Sequence, residues 1–285
     1  MSSLDTWVTW WFSNQWLTWG VGLYFVANLG VWPLGIFLEW YTHQPGISLV
    51  TWKGGTGSRV GDIAKTQTSI PFSQQIWDSN YGILVTTFGG TALFGGVVSA
   101  LLFTKIVGME WDPLSASSLF YQVVAMEVIA DLVLYMGHRI QHEVPFLWKF
   151  HAVHHALESP TPLGAVYIHH IDGTLQGSLP IVAALAMICT HPIAAYMFVP
   201  FRLAGNVANH SGLDCWWLDL LLLRYSWLGR AKVSHHDSHH KYGGRNGKVM
   251  NLGENFWIWD WAFGTLSDRS VMREDLYDSA TQKAK

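Results

Sequence analysis

From Thr6 to Leu38 the chain has no charged side chain. Within that stretch Leu17 to Leu38 is long enough, at about 1.5 Å rise per residue, to cross a hydrocarbon core of about 30 Å as a helix. Trp residues at its ends suit the water interface. A second uncharged run lies between Asp78 and Lys105 and contains Ile83 to Phe103, with the pairs Gly89-Gly90 and Gly95-Gly96 permitting close helix packing. A third, about Leu114 to Met136, is apolar apart from Glu127 and Asp131, which are four apart and so share a face. A fourth, Leu175 to Ala208, is broken at Thr190, His191 and Pro192 and again at Pro200, the pattern of a hairpin or re-entrant pair of helices. The chain is 13% charged and holds 17 Trp, where a soluble domain is about 25% charged. The expected fold is all-α, a multi-pass membrane helical bundle with about four spanning segments.

Residues 1–52 contain no Lys or Arg, whereas Lys53, Arg59 and Lys65 follow the first span, and Arg224, Arg230, Lys232, Lys241, Arg245 and Lys248 crowd the C-terminal part. The positive-inside bias then places the polar C-terminal part on the cytoplasmic side. The N-terminus lacks the basic residues and short apolar core of a cleavable leader, so none is expected. A net charge of −3 provides no basic footprint for nucleic acid. Cys189 and Cys215 have no metal-binding spacing and read as packed thiols.

Thirteen of the 14 histidines fall between His138 and His240, and nine of them form three clusters: His138 and His142; His151, His154 and His155; His235, His236, His239 and His240. Steps of three and four bring imidazoles to one side of a helix. Neutral imidazole suits Zn, Cu, Fe and Ni. A structural zinc would close with four ligands, so eight or more convergent histidines imply two ions, and two redox-active irons with open positions for dioxygen fit better. The ferritin-like carboxylate motif is absent. Asp131, Asp172 and Asp237 are candidates to accept the second ring N–H of a ligand. Asp131 is the leading one, because Asp131, Tyr135, His138 and His142 follow one helical stripe. His43 and His191 read as non-ligands, and His235 is expected to face away from His236.

With these boxes the chain resembles the membrane fatty acid hydroxylase and sterol desaturase superfamily, over roughly Asp131 to Leu266. The stretch Trp259 to Thr265 is similar to the end of that family's catalytic domain. The resemblance implies a non-haem di-iron oxygenase whose metal ligands are His138, His142, His151, His154, His155, His236, His239 and His240. His210, within Asn209 to Gly212, matches the His-Ser-Gly of sterol C4-methyl oxidases, and His170 is a further candidate. The third box and the Gly243-Gly244 insertion resemble C4-methyl oxidases, whereas His170 to Pro180 is similar to sterol C5-desaturases. Asn206 stands where some fatty acid hydroxylases carry another ligand. The expected domains are 1–136 (spanning helices and loops), 137–270 (a histidine-rich cytoplasmic catalytic cap, with a membrane hairpin at about 175–208) and 271–285 (a polar tail).

The implied reaction is hydroxylation, or desaturation, of an unactivated C–H bond of a lipid, with a sterol favoured and a fatty acyl chain or sphingolipid next. The cofactors would be two iron ions and the co-substrate O2. No nucleotide fingerprint is present, so a separate electron donor is expected: cytochrome b5 with its reductase, or a ferredoxin in a bacterium. The corresponding membranes are the endoplasmic reticulum and the bacterial inner membrane. A non-catalytic membrane protein that binds metal or lipid is the alternative of a different class.

Overall fold

The computed structural model describes residues 3–42, 44, 47, 49, 114–157, 160–242 and 249–267. The run Ile83 to Phe103, the basic residues Lys53, Arg59 and Lys65, the loop 243–248 and the tail 271–285 lie outside them. Helix α1 (Ser3–Ser13) leads into a π-helical turn, Trp16–Gly22, that continues as α2 (Leu23–Thr42). Next come α3 (Ala116–Glu143), α4 (Pro145–His154), a 3-10 turn (Pro162–Val166) and the one-turn α5 (His170–Asp172). A second π-helical turn, Gly173–Ser178, opens α6 (Leu179–Ile188), and α7 (Pro192–Asn209) follows directly. The polar part adds α8 (Trp216–Leu221), α9 (Val233–Tyr242) and α10 (Ile258–Ala262). Among the described residues there is no strand, only an isolated bridge between Arg230 and Phe256.

Among the described residues, three helical segments are long and apolar enough to cross a membrane: Trp16–Thr42, Ala116–Glu143 and His170–Ile188. The protein is a helical membrane protein, as its composition demands. Its spanning helices expose Phe25, Leu29 and Ile36 on α2 and Phe120 and Tyr121 on α3, side chains that lipid solvates and water would not. The break expected near Thr190 is present: α6 ends at Ile188, and His191 caps α7 by accepting the Ile193 N–H through Nδ1 at 3.2 Å.

Local sequence explains how α3 carries histidines out of the bilayer. Ser115 caps it by accepting the Ser118 N–H at 3.2 Å, as an N-cap hydroxyl does. Ala116 to Met136 rises about 31 Å, enough for the hydrocarbon core, so the last turns with His138 and His142 emerge from it. Pro145 then forbids continuation and starts α4 at its first position. Helix α6 packs on α3 and α7 on α2. The α2–α7 crossing is close because Gly30 has no side chain: a Cβ there would lie 2.7 Å from the Pro200 backbone.

The charged residues inside this apolar frame form one network. Arg202 Nη1 of α7 bonds Asp131 Oδ1 at 2.9 Å and Glu127 Oε2 at 3.3 Å, both on α3, and Arg230 Nη1 lies 3.6 Å from Glu127 Oε2. Asp131 also accepts the backbone N–H groups of Asn255 and Phe256, each at 3.0 Å. Its position was expected to serve a histidine ligand; instead it faces α7 and the loop after α9, because a fully buried carboxylate is best compensated by a cation and two amides together. Arg224 and Arg230, two of the basic residues that crowd the C-terminal part, are also buried. Arg224 donates to Asn209 Oδ1 and the Gly205 carbonyl, and Arg230 to the Leu222 carbonyl. Arg224 thus ties the segment after α8 to α7, Arg230 ties its own segment to the end of α8 and to α3, and neither offers much to a docking partner.

Three substitutions test this frame by thermal unfolding in detergent. Gly30→Ala should destabilise by about 1–3 kcal/mol through overpacking, whereas Gly20→Ala, with open space around its Cβ, should be neutral or slightly stabilising. Asp131→Ala should cost about 3–5 kcal/mol, because it strands a buried guanidinium.

Candidate metal centre

Nine of the sequence-marked histidines converge. One group comprises His138, His142, His151, His155 and His239, the other His154, His210, His236 and His240, and within each group one ring nitrogen per residue lies within 4.8 Å of every other. The first group joins the end of α3 to α4 and α9. The second joins α4 and α9 to the end of α7, where His210 follows the last helical residue. Alternate box members serve different groups: His151 and His155 go to one and His154 to the other, while His239 separates from His236 and His240. Steps of three and four on one helix thus face two neighbouring centres.

Second contacts fix the ring orientations. Nδ1 of His138 bonds the Leu252 carbonyl at 2.8 Å, that of His154 the Tyr167 carbonyl at 3.1 Å, and that of His210 the Asn206 carbonyl at 2.8 Å. Nδ1 of His239 bonds the Met250 carbonyl at 2.7 Å, that of His240 the Leu157 carbonyl at 3.0 Å, and that of His151 Asp172 Oδ2 at 3.0 Å. A carbonyl or carboxylate can only accept, so each of these Nδ1 atoms carries the proton and each Nε2 presents a lone pair.

Those nitrogens each lie close to a ring nitrogen of another histidine, and between His154 and His210 both are lone pairs. Nε2 to Nε2 distances are 3.3 Å for His138 and His142, 3.1 Å for His142 and His151, and 3.0 Å for His155 and His239. In the second group they are 3.1 Å for His154 and His210, His210 and His236, and His236 and His240. The two acceptors of His154 and His210, at 3.1 Å, repel unless something between them accepts both lone pairs. Nitrogens held about 2.1 Å from a shared ion would be about 3.0 Å apart at a right angle and about 3.4 Å apart at the tetrahedral angle, which matches. Burial favours the neutral imidazole in several of them: it lowers His154 to about 4 and His239 to about 3, and His155, His236 and His240 well below the usual histidine value. Neutral, oriented, convergent imidazoles fit a pair of transition-metal ions.

The remaining candidates separate clearly. Asp172 contacts a group member, taking His151 Nδ1 on Oδ2 and Gln141 Nε2 at 3.0 Å on Oδ1. Asp237 is buried on α9 between His236 and Ser238. His170 is exposed and outside both groups. It opens the short α5, whose buried member is Asp172; one helical turn cannot aim both inward. His235 turns to Asp260 Oδ2 at 3.0 Å.

Asp260 went unnoticed as a residue, although the stretch Trp259 to Thr265 was marked. Its Oδ1 accepts the Leu252 N–H at 2.7 Å and its Oδ2 the Gly253 N–H at 2.9 Å, and Thr265 Oγ1 lies 2.7 Å from Oδ1. Burial opposes its charge, but His235, Thr265 and the Gly253 N–H together keep its pKa below the usual carboxylate value. Asn251, at φ 53, turns the same loop, so that the carbonyls of Met250 and Leu252 reach His239 and His138. Glu254 was also missed. It is buried beside Asn206, whose Nδ2 donates to Oε2 at 2.8 Å, and desolvation raises it to about 7.

A cavity opens from the second group toward the spanning helices. Leu23, Ala27, Val31, Ile181, Leu185 and Leu203 form its apolar walls, and His154, His210, Asp172, Gln176, Asn206 and Glu254 lie at its polar end.

The family model described as fatty acid hydroxylase matches residues 123–265. The fatty acid hydroxylase vlmA of Lecanicillium sp is 32% identical over 160 residues, 50% of this chain and 40% of that protein. Sphinganine C4-monooxygenase 1 of Arabidopsis thaliana is 28% identical over 187 residues, 63% of this chain and 68% of that protein. Methylsterol monooxygenase 2-2 of Arabidopsis thaliana is 31% identical over 157 residues, 55% of this chain and 54% of that protein. The alignments thus span less than two thirds of two of these three relatives. No solved structure matches. The matched segment covers half of the chain and contains all nine converging histidines with the loop that orients them, and on that basis the protein belongs to the fatty acid hydroxylase family.

Proposed function

We propose that this protein is a membrane lipid hydroxylase whose two histidine groups hold two iron ions. The observation that carries the reading is the pairing of a five-histidine group with a four-histidine group, the second at the end of an apolar cavity. Two bound irons would supply the redox chemistry that turns dioxygen on an unactivated C–H bond. His138, His142, His151, His155 and His239 would hold one ion, and His154, His210, His236 and His240 the other.

The chain's own residues orient and exclude. The six Nδ1 hydrogen bonds keep the metal-facing nitrogens of those residues free of protons, and Asp172 fixes the orientation of the His151 ring. The apolar walls keep water from the reacting carbon and admit a lipid body from the bilayer side. Electrons come from a separate donor protein. The sterol C4-methyl reaction favoured by the third box remains one option within this class. The three relatives are named for fatty acid, sphinganine and methylsterol substrates at 28–32% identity, and that narrow range gives no preference among them.

Elemental analysis of detergent-purified protein tests the reading. The expected content is close to two irons per chain, falling to about one in His154→Ala with His240→Ala, and unchanged in His170→Ala. Well-folded protein without metal would sink it. Asp172→Ala should lower metal affinity about 10- to 100-fold in chelator competition, as loss of an outer partner does.

A further inference from the structure

The polar end of the cavity is made mostly of groups already committed. Asp172 receives His151, Gln141 and Gln176 on its two oxygens, and the ring Nδ1 atoms of His154 and His210 are held by backbone carbonyls. Glu254 differs. It lines the cavity at 3% exposure, and its side chain makes one hydrogen bond, from Asn206 Nδ2 to Oε2. Among the described residues its Oε1 has no partner. A carboxylate oxygen that faces an apolar cavity without a donor is poorly compensated for the water it has lost, and a bound donor would supply what is missing. Asn206 also places this oxygen close to the histidines, since its carbonyl holds His210 Nδ1 while its side chain holds Glu254.

Away from this end the lining is mostly apolar, although Tyr24 and Ser178 also contribute to it. A lipid entering tail first would leave Glu254 unsatisfied and bring carbons to a polar floor, whereas one entering head first matches both ends of the cavity. A hydroxyl suits the site better than an ammonium, which costs far more to bury.

We propose that Glu254 is the specificity-determining residue of this cavity. It accepts a hydrogen bond from a hydroxyl of the lipid, so the polar end of the substrate lies beside His154 and His210 and the carbon oxidised is within a few bonds of that hydroxyl. The proposal rests on the lipid-hydroxylase reading and adds the orientation of the lipid.

The test is equilibrium binding of radiolabelled probes to the full-length protein in detergent, after its metal content has been measured. The probes are 1-octadecanol with its methyl ether, and cholesterol with its methyl ether; methylation removes only the hydroxyl proton. For at least one pair the wild type should bind the alcohol about tenfold more tightly than the ether, the equivalent of about 1.4 kcal/mol. Glu254→Leu should bind both members alike, and Glu254→Gln, which keeps an acceptor oxygen and the side-chain shape, should retain part of the preference. Preference in the linear pair assigns a chain alcohol, and in the sterol pair a sterol. Equal affinity for alcohol and ether in the wild type, or an undiminished preference in Glu254→Leu with unchanged metal content, would overturn the proposal. A wild type that prefers the alcohol but holds no metal would remove the hydroxylase reading and leave the recognition role of Glu254 standing.

Discussion

The centre depends on fixing protons on one side of each imidazole. A histidine that keeps its proton on Nδ1 has only one nitrogen left to offer, and in six of the nine the partner that enforces this is identifiable. Five of those partners are backbone carbonyls, which cannot titrate or rotate away. They come from segments far apart in the chain: Leu157, Tyr167, Asn206, Met250 and Leu252. The histidines therefore converge only when these segments are docked, and local helix geometry supplies only part of the arrangement.

Docking is governed by buried carboxylates that do not touch the histidine centres. Asp260 gathers the turn at Leu252 and Gly253, and Asp131 gathers Asn255 and Phe256 while neutralising Arg202. The same loop thus hangs from α10 on one side and from α3 on the other, and its carbonyls face the rings between. Charge buried this deeply adds little net stability compared with an apolar alternative, but losing one member is costly. We read the network as setting position rather than adding stability.

The bilayer side and the histidine side meet at the cavity. Its walls are contributed by α2, α6 and α7, and the π-helical turn from Gly173 to Ser178 brings Gln176 to the polar end. Such turns redirect side chains within a helix and recur at functional sites. Only the four-histidine group has members on the cavity, so the two groups differ in surroundings as well as in number of nitrogens.

Much of this was legible from residue order. The uncharged run from Thr6 to Leu38 announced the first helix long and apolar enough to span a bilayer, and steps of three and four announced that imidazoles share a helix face. The break before Pro192 followed from proline's missing N–H. Spacing alone could not allot His154 and His155 to different groups, since neighbouring residues on a helix diverge by about 100° and the direction of each depends on what packs beside it. Nor could it tell that Asp131 would serve Arg202, that His170 would face solvent, or that Glu254 would end in the cavity beside Asn206. Residue type and periodicity determined which groups were available and that a membrane surrounded them. Tertiary structure decided which nitrogen each histidine presents and which carboxylate meets which partner, because those depend on contacts between segments many residues apart, and on burial that only the assembled helices create.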